Sequence, residues 1–95
     1  MAIGSMQRRD ERKSRIAQEF RARDVETVLD LLHLTDMAWH DCYGPHQLEI
    51  PPDVLDDVLL LARGDLARLV RLSLAAVQDF RDLRVAADEQ RAAAL

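Results

Sequence analysis

Three titratable side chains, His33, Asp36 and His40, stand at i, i+3 and i+7 within the stretch DVETVLDLLHLTDMAWHDCYG, residues 24–44. On a helix advancing 100° per residue, that spacing gathers them within about 60° of one another. Imidazole nitrogens and a carboxylate are suitable ligands for zinc or a similar divalent ion. His46 and Glu49, in the segment that follows, could complete such a set. The same half of the helix also carries Glu26, Asp30, Met37 and Asp41. It therefore reads first as a solvated polar face, whereas metal sites need a shielded outer shell. A metal- or ligand-binding bundle stands as an alternative, and no cofactor is expected. A histidine on this face could also serve as a pH-sensitive contact.

Cys42 is the single cysteine, close to His40, Asp41 and His46. A nucleophilic thiolate needs a base within hydrogen-bond reach and an electropositive, accessible setting. Here the neighbours are acidic and Cys42 projects onto the apolar side of the helix, so a packed thiol is expected. The chain has no Ser-His-Asp grouping, no Gly-rich phosphate loop and no CxxC pair. Asp56 and Asp57 are adjacent and would point about 100° apart on a helix, too far to share one proton. Enzymatic activity is not expected.

Arg8, Arg9, Arg12, Lys13 and Arg15 form a basic cluster that could contact phosphates. Residues 1–23 carry seven basic and three acidic side chains, against six basic and fourteen acidic in the remainder. Arm and body should therefore attract each other, within one chain or between chains. The short helix before Gly64 and the helix after it resemble a helix-turn-helix in outline. Yet Arg68 and Arg71 would be presented beside Asp79 and Asp82, on a strongly acidic body. A small nucleic-acid-binding or regulatory protein that uses the arm is thus the second functional reading, and nucleic acid is not the expected partner.

The elements that must position these residues all read as helices. Residues 24–43 have Asp24 as a plausible N-cap, Glu26 in the first turn, and Gly44-Pro45 to stop the helix. Val25, Val28, Leu32, Leu34, Trp39 and Tyr43 lie on an apolar arc of about half the cylinder. That is wider than the stripe of somewhat over 100° usual for a surface helix. Two neighbours are needed, of which one can be a partner. Trp39 and Tyr43, at i and i+4, fit core packing first and an interface second.

The loop 44–52 leads to a helix over 53–63, with Pro52 suited to its first turn and Asp53, Asp56 and Asp57 at its positive end. Leu60 falls outside its apolar side, exposed or at an interface. Gly64 closes it, and Asp65 caps a last helix over 65–90 whose stripe includes Leu69, Val77 and Phe80. Arg84 then lands in mid-stripe. An unpaired buried arginine is expensive, so the helix either leaves the body there or Arg84 meets a carboxylate of the 53–57 group. Residues 6–23 are expected to be partly helical. Ile16 and Phe20 could dock their second half, with 6–13 frayed or solvent-exposed and a break at Asp24 preferred over one long helix.

The 95 residues make one domain, 48% hydrophobic and 32% charged, with a net charge of −4. No apolar run approaches the roughly 18 residues of a membrane span, no apolar leader is visible, and a lone cysteine fits a reducing compartment. A cytoplasmic location and no membrane partner are expected. The twelve arginines against one lysine hint at a GC-rich, bacterial genome. Residues 1–5 read as a possible vector remnant. The fold class expected is all-α: a small antiparallel bundle of three main helices plus a partly helical arm. The function expected is a non-enzymatic protein–protein interaction module, homodimeric, with Trp39, Tyr43, Leu60, Phe80 and Arg84 as interface candidates.

Overall fold

Four helices, α1 (Ser5–Glu19), α2 (Val25–Tyr43), α3 (Pro52–Ala62) and α4 (Leu66–Ala93), carry the chain in a computed structural model that describes residues 5–94. The possible vector remnant therefore lies, apart from Ser5, outside the described residues. The protein is an all-α bundle, with no strand among the described residues. No helix in them is long and apolar enough to cross a membrane.

The arm is more ordered than its charge suggests. Helix α1 runs through 6–13 and docks on the body through Arg8, Arg9, Arg12 and Ile16. Ile16 is fully buried and Phe20 is 5% exposed, which places about 1.5–3 kcal/mol of burial on each side chain. The first half, expected to be frayed or a solvent-exposed helix, is helical with Met6, Gln7, Asp10, Glu11 and Lys13 exposed, and is held by ion pairs from its arginines to α2 and to the loop before α3. The radius of gyration of 13.0 Å is what a packed domain of this length should have.

The chain breaks between α1 and α2, through a 3₁₀ turn at Ala22–Asp24, so 6–43 is two helices. Asp24 occupies the N-cap of α2, but its backbone is helical (φ −98°, ψ −11°) and its carboxylate makes no capping hydrogen bond. The extended geometry that aims a cap side chain at the first turn is missing. At the other end Gly44 takes φ +98° and stops α2 as expected. Pro52 opens α3. Arg63 and Gly64 both turn left-handed (φ 52° and 74°) to reverse the chain, and Asp65 caps α4 by accepting from the Ala67 N–H.

Helix α4, expected over 65–90, runs over Leu66–Ala93 with a kink inside it. Asp79 (φ −159°, ψ 93°) interrupts it. The Asp79 carboxylate accepts from the Arg81 N–H at 3.0 Å and so caps the second half. The Val77 carbonyl accepts from the Tyr43 hydroxyl at 3.0 Å. The two groups that pair in an unbroken helix thus each have a side-chain partner, which is what makes the kink tolerable. In a straight helix Arg68 and Gln90 would be about 33 Å apart. Instead both line one cleft beside Leu61 of α3, so the bend folds the two halves of α4 around α3.

Ile16, Leu32, Ile50, Leu59 and Leu69 are among the largest fully buried residues. All four helices contribute to this one core, and the Trp39 ring closes it on the side of the kink.

Candidate functional site

The histidine–aspartate face is divided by the fold. His33 is exposed and His40 half-buried, but Asp36 is only 2% exposed. Arg12 donates to both of its carboxylate oxygens, at 2.8 and 3.0 Å, and the Ile50 N–H donates at 3.0 Å. Arg8 lies 3.7 Å away and reaches Glu49 at 2.7 Å. The expectation that Asp36 faces water is therefore corrected. Leu29, one heptad earlier and 2% exposed, marks the same face as buried, and helix α1 covers it. A carboxylate already saturated by guanidinium and amide protons has no lone pair directed at a cation. His40 Nδ1 is 3.1 Å from the Gln47 carbonyl. Among the described residues no group of three or more His, Cys, Asp or Glu is arranged to hold a metal ion.

Cys42 also differs from expectation: it is exposed.

The arm's basic residues are drawn into the body. Arg9 pairs with Glu26 and with Asp30, the latter at 2.7 Å. Lys13 is 3.6 Å from Glu26, and Arg15 binds Glu19 and Asp56 at 2.9 and 2.5 Å. The Arg9 hydrogen bond and charge hold the Glu26 carboxyl below its ordinary range. The attraction between arm and body is thus satisfied within one chain.

The interface candidates have internal duties. Trp39 is 3% exposed. It stacks on Tyr43 with centroids 4.4 Å apart and meets Phe80 at 5.6 Å, and Tyr43 and Phe80 are 6.1 Å apart. This aromatic trio sits at the α4 kink and supports it, with the Tyr43 hydroxyl on Val77. Arg84 takes the second of its two expected courses. Its Nε donates to the buried Asp57 at 2.6 Å, and Nη2 donates to Asp53 at 2.9 Å. Arg91 donates to the other Asp57 oxygen at 2.8 Å. Leu60 is half-buried, and its carbonyl accepts from Gln90.

A shallow groove of about 340 Å³ lies open between α2 and the first half of α4. Leu31, Leu34, Thr35 and Ala38 form one wall, and Val70, Ser73, Leu74 and Val77 the other. Leu34 and Leu74 are each 61% exposed and Val70 is 48% exposed. Thr35 spends its hydroxyl on the Leu31 carbonyl, which leaves the wall effectively apolar. The excess apolar arc of α2 is the sequence signal for this groove. Its α4 wall had no such signal, because Val70 and Leu74 read as part of one broad stripe. No protein-family model, curated protein or solved structure proves significantly similar to the chain.

Proposed function

We propose that the protein is a non-enzymatic interaction module that forms a homodimer by closing the α2/α4 groove of one copy against that of another. The observation that carries this reading is the row Leu31, Leu34, Val70 and Leu74. It is apolar along both walls, yet it borders the core without being covered. Contiguous exposed apolar surface of this kind marks interaction sites in soluble proteins. A two-fold interface uses the same patch on both copies, and a groove with apolar side chains from both of its helices suits that symmetry. The converging charges of the molecule support binding over catalysis. The buried carboxylates Asp36 and Asp57 are each engaged by arginines of the same chain.

Light scattering across a concentration series tests this. The chain should scatter at twice its 10.8 kDa mass at micromolar concentration. The double substitution Leu34→Glu/Leu74→Glu should return it to the single mass with its helical circular dichroism unchanged, since both side chains are already largely in water. A wild-type chain that stays at the single mass at about 100 µM overturns the proposal, as does a double variant that remains dimeric.

A further inference from the structure

Eight of the thirteen basic side chains are spent on carboxylates of the same chain. The other five, Arg21, Arg23, Arg63, Arg68 and Arg71, have no carboxylate partner among the described residues. All five are exposed, and they are not scattered. They line two adjoining clefts that share Arg63. In the first, about 590 Å³, Arg21, Arg23 and Arg63 face Glu19, Asp24 and Asp65, so charge is balanced locally. In the second, about 570 Å³, Arg63, Arg68 and Arg71 rim a floor of Leu61, Leu72 and Ala75, and no carboxylate lines it. The second cleft is where the bend at Asp79 brings the end of α4 back beside the end of α3. Arg63 is held there by a hydrogen bond to Gln90 at 3.1 Å.

We infer that this second cleft is a docking site for an acidic amphipathic helix of a partner protein. Its floor takes an apolar side-chain row, and its rim offers guanidinium groups that pair with carboxylates in two-pronged fashion. Together these are the complement of a helix with leucines on one face and glutamates or aspartates along the flanks. Arg68 and Arg71, one helical turn apart and with no carboxylate partner among the described residues, also repel one another, and an acidic occupant relieves that repulsion. A nucleic-acid backbone is the poorer match. Phosphates gain nothing from an apolar floor, and a body of net charge −4 repels a long polyanion. The site is separate from the α2/α4 groove and does not depend on dimer formation.

Fluorescence anisotropy on the full chain tests the inference with three labelled probes. These are a helical peptide of about 16 residues built from Leu, Ala and Glu in amphipathic order, the same composition scrambled, and a duplex oligonucleotide. The ordered peptide should bind at least tenfold more tightly than the scrambled one and weaken with added salt. Arg71→Glu should weaken it about tenfold or more, whereas Lys13→Glu, an equal charge change on the far arm, should leave it within twofold. Equal affinity for ordered and scrambled peptides overturns the inference. So does equal loss in the two variants, or no binding at about 100 µM peptide. Tighter binding of the oligonucleotide that is lost in Arg71→Glu would assign the cleft to nucleic acid instead.

Discussion

Asp36→Leu should be among the most damaging single substitutions in this domain, and Asp57→Leu, at an equally buried carboxylate, should not. Both aspartates are nearly inaccessible, 2% and 1% exposed, and each binds two arginine donors. The difference lies in what is left behind. Without Asp36, the Arg12 guanidinium, on a side chain 11% exposed, keeps only a distant contact to Glu49 at 3.8 Å, and the buried Ile50 N–H loses its acceptor. A stranded buried charge costs about 3–5 kcal/mol, against about 5–15 kcal/mol for a whole domain. At about 4–8 °C per kcal/mol for a domain of this size, the melting temperature should fall by about 12 °C or more. Without Asp57, Arg84 and Arg91 are 40% and 42% exposed and can swing into water, so the loss should be about 1–2 kcal/mol. The double substitution Asp36→Leu/Arg12→Leu removes both charges. It should recover at least about 2 kcal/mol relative to Asp36→Leu alone, leaving mainly the orphaned Ile50 amide. Urea unfolding followed by circular dichroism gives all four values. An Asp36→Leu variant within about 1 kcal/mol of wild type, or an Asp57→Leu variant that loses as much as Asp36→Leu, would contradict the stranding of Arg12.

Two further outcomes follow from single features. Gly64→Ala should destabilise by about 2 kcal/mol or more in the same assay, because a Cβ there would overlap the Glu19 backbone carbonyl and would sit at φ +74°. The Asp79 carboxyl is held below its ordinary range, first by the Arg81 side chain and then by the Arg81 N–H. A depressed folded-state pKa contributes stability above the unfolded value and loses it as pH falls through the folded one. Carboxyl-carbon NMR should therefore show Asp79 titrating below the usual aspartate range, with the shifts of the α4 kink changing only in that acid window. An ordinary aspartate titration would refute the cap.

How much of this was legible in the sequence divides along a physical line. Local signals carried well: the Gly44 stop, Pro52 at the first turn of α3, the Asp65 cap and the reversal at Gly64 all depend on one residue and its immediate neighbours. The demand that Arg84 find a carboxylate was also legible, because an arginine inside an apolar stripe has few affordable outcomes. Asp36 was misplaced for the opposite reason. Its polarity assigned it to water, although Leu29, seven residues earlier, put an apolar side chain on the same line. Whether that line is wet depends on α1, whose buried apolar anchor is Ile16, with Phe20 just beyond the helix, and whose first half docks through ion pairs. The kink was hidden because Leu69, Ser73, Ala76, Leu83 and Ala87 keep helical spacing across Asp79. A periodic pattern reports which face is buried and is silent about a bend that keeps that face buried. Asp79 preceding an arginine two residues on is the only local hint of a cap, and such pairs are common on exposed helix faces.

The bend also determines how the two remaining surfaces relate. Along the first half of α4 the core side is Leu69, Ser73 and Ala76. Val70, Ser73, Leu74 and Val77 open toward the groove shared with α2, and Arg68, Arg71, Leu72 and Ala75 toward the cleft shared with α3. At 100° per residue these two rows lie about 160° apart around the helix, so one occupant cannot cover both. The groove has apolar walls on two elements and suits a like surface. The cleft has a charged rim that a like surface would not neutralise. The two proposals are therefore separable in one pair of variants. Leu34→Glu/Leu74→Glu should yield a monomer that still binds the acidic peptide, and Arg71→Glu a dimer that does not. If instead either variant abolishes both properties, the two surfaces act as one and the division of the helix into independent flanks is wrong.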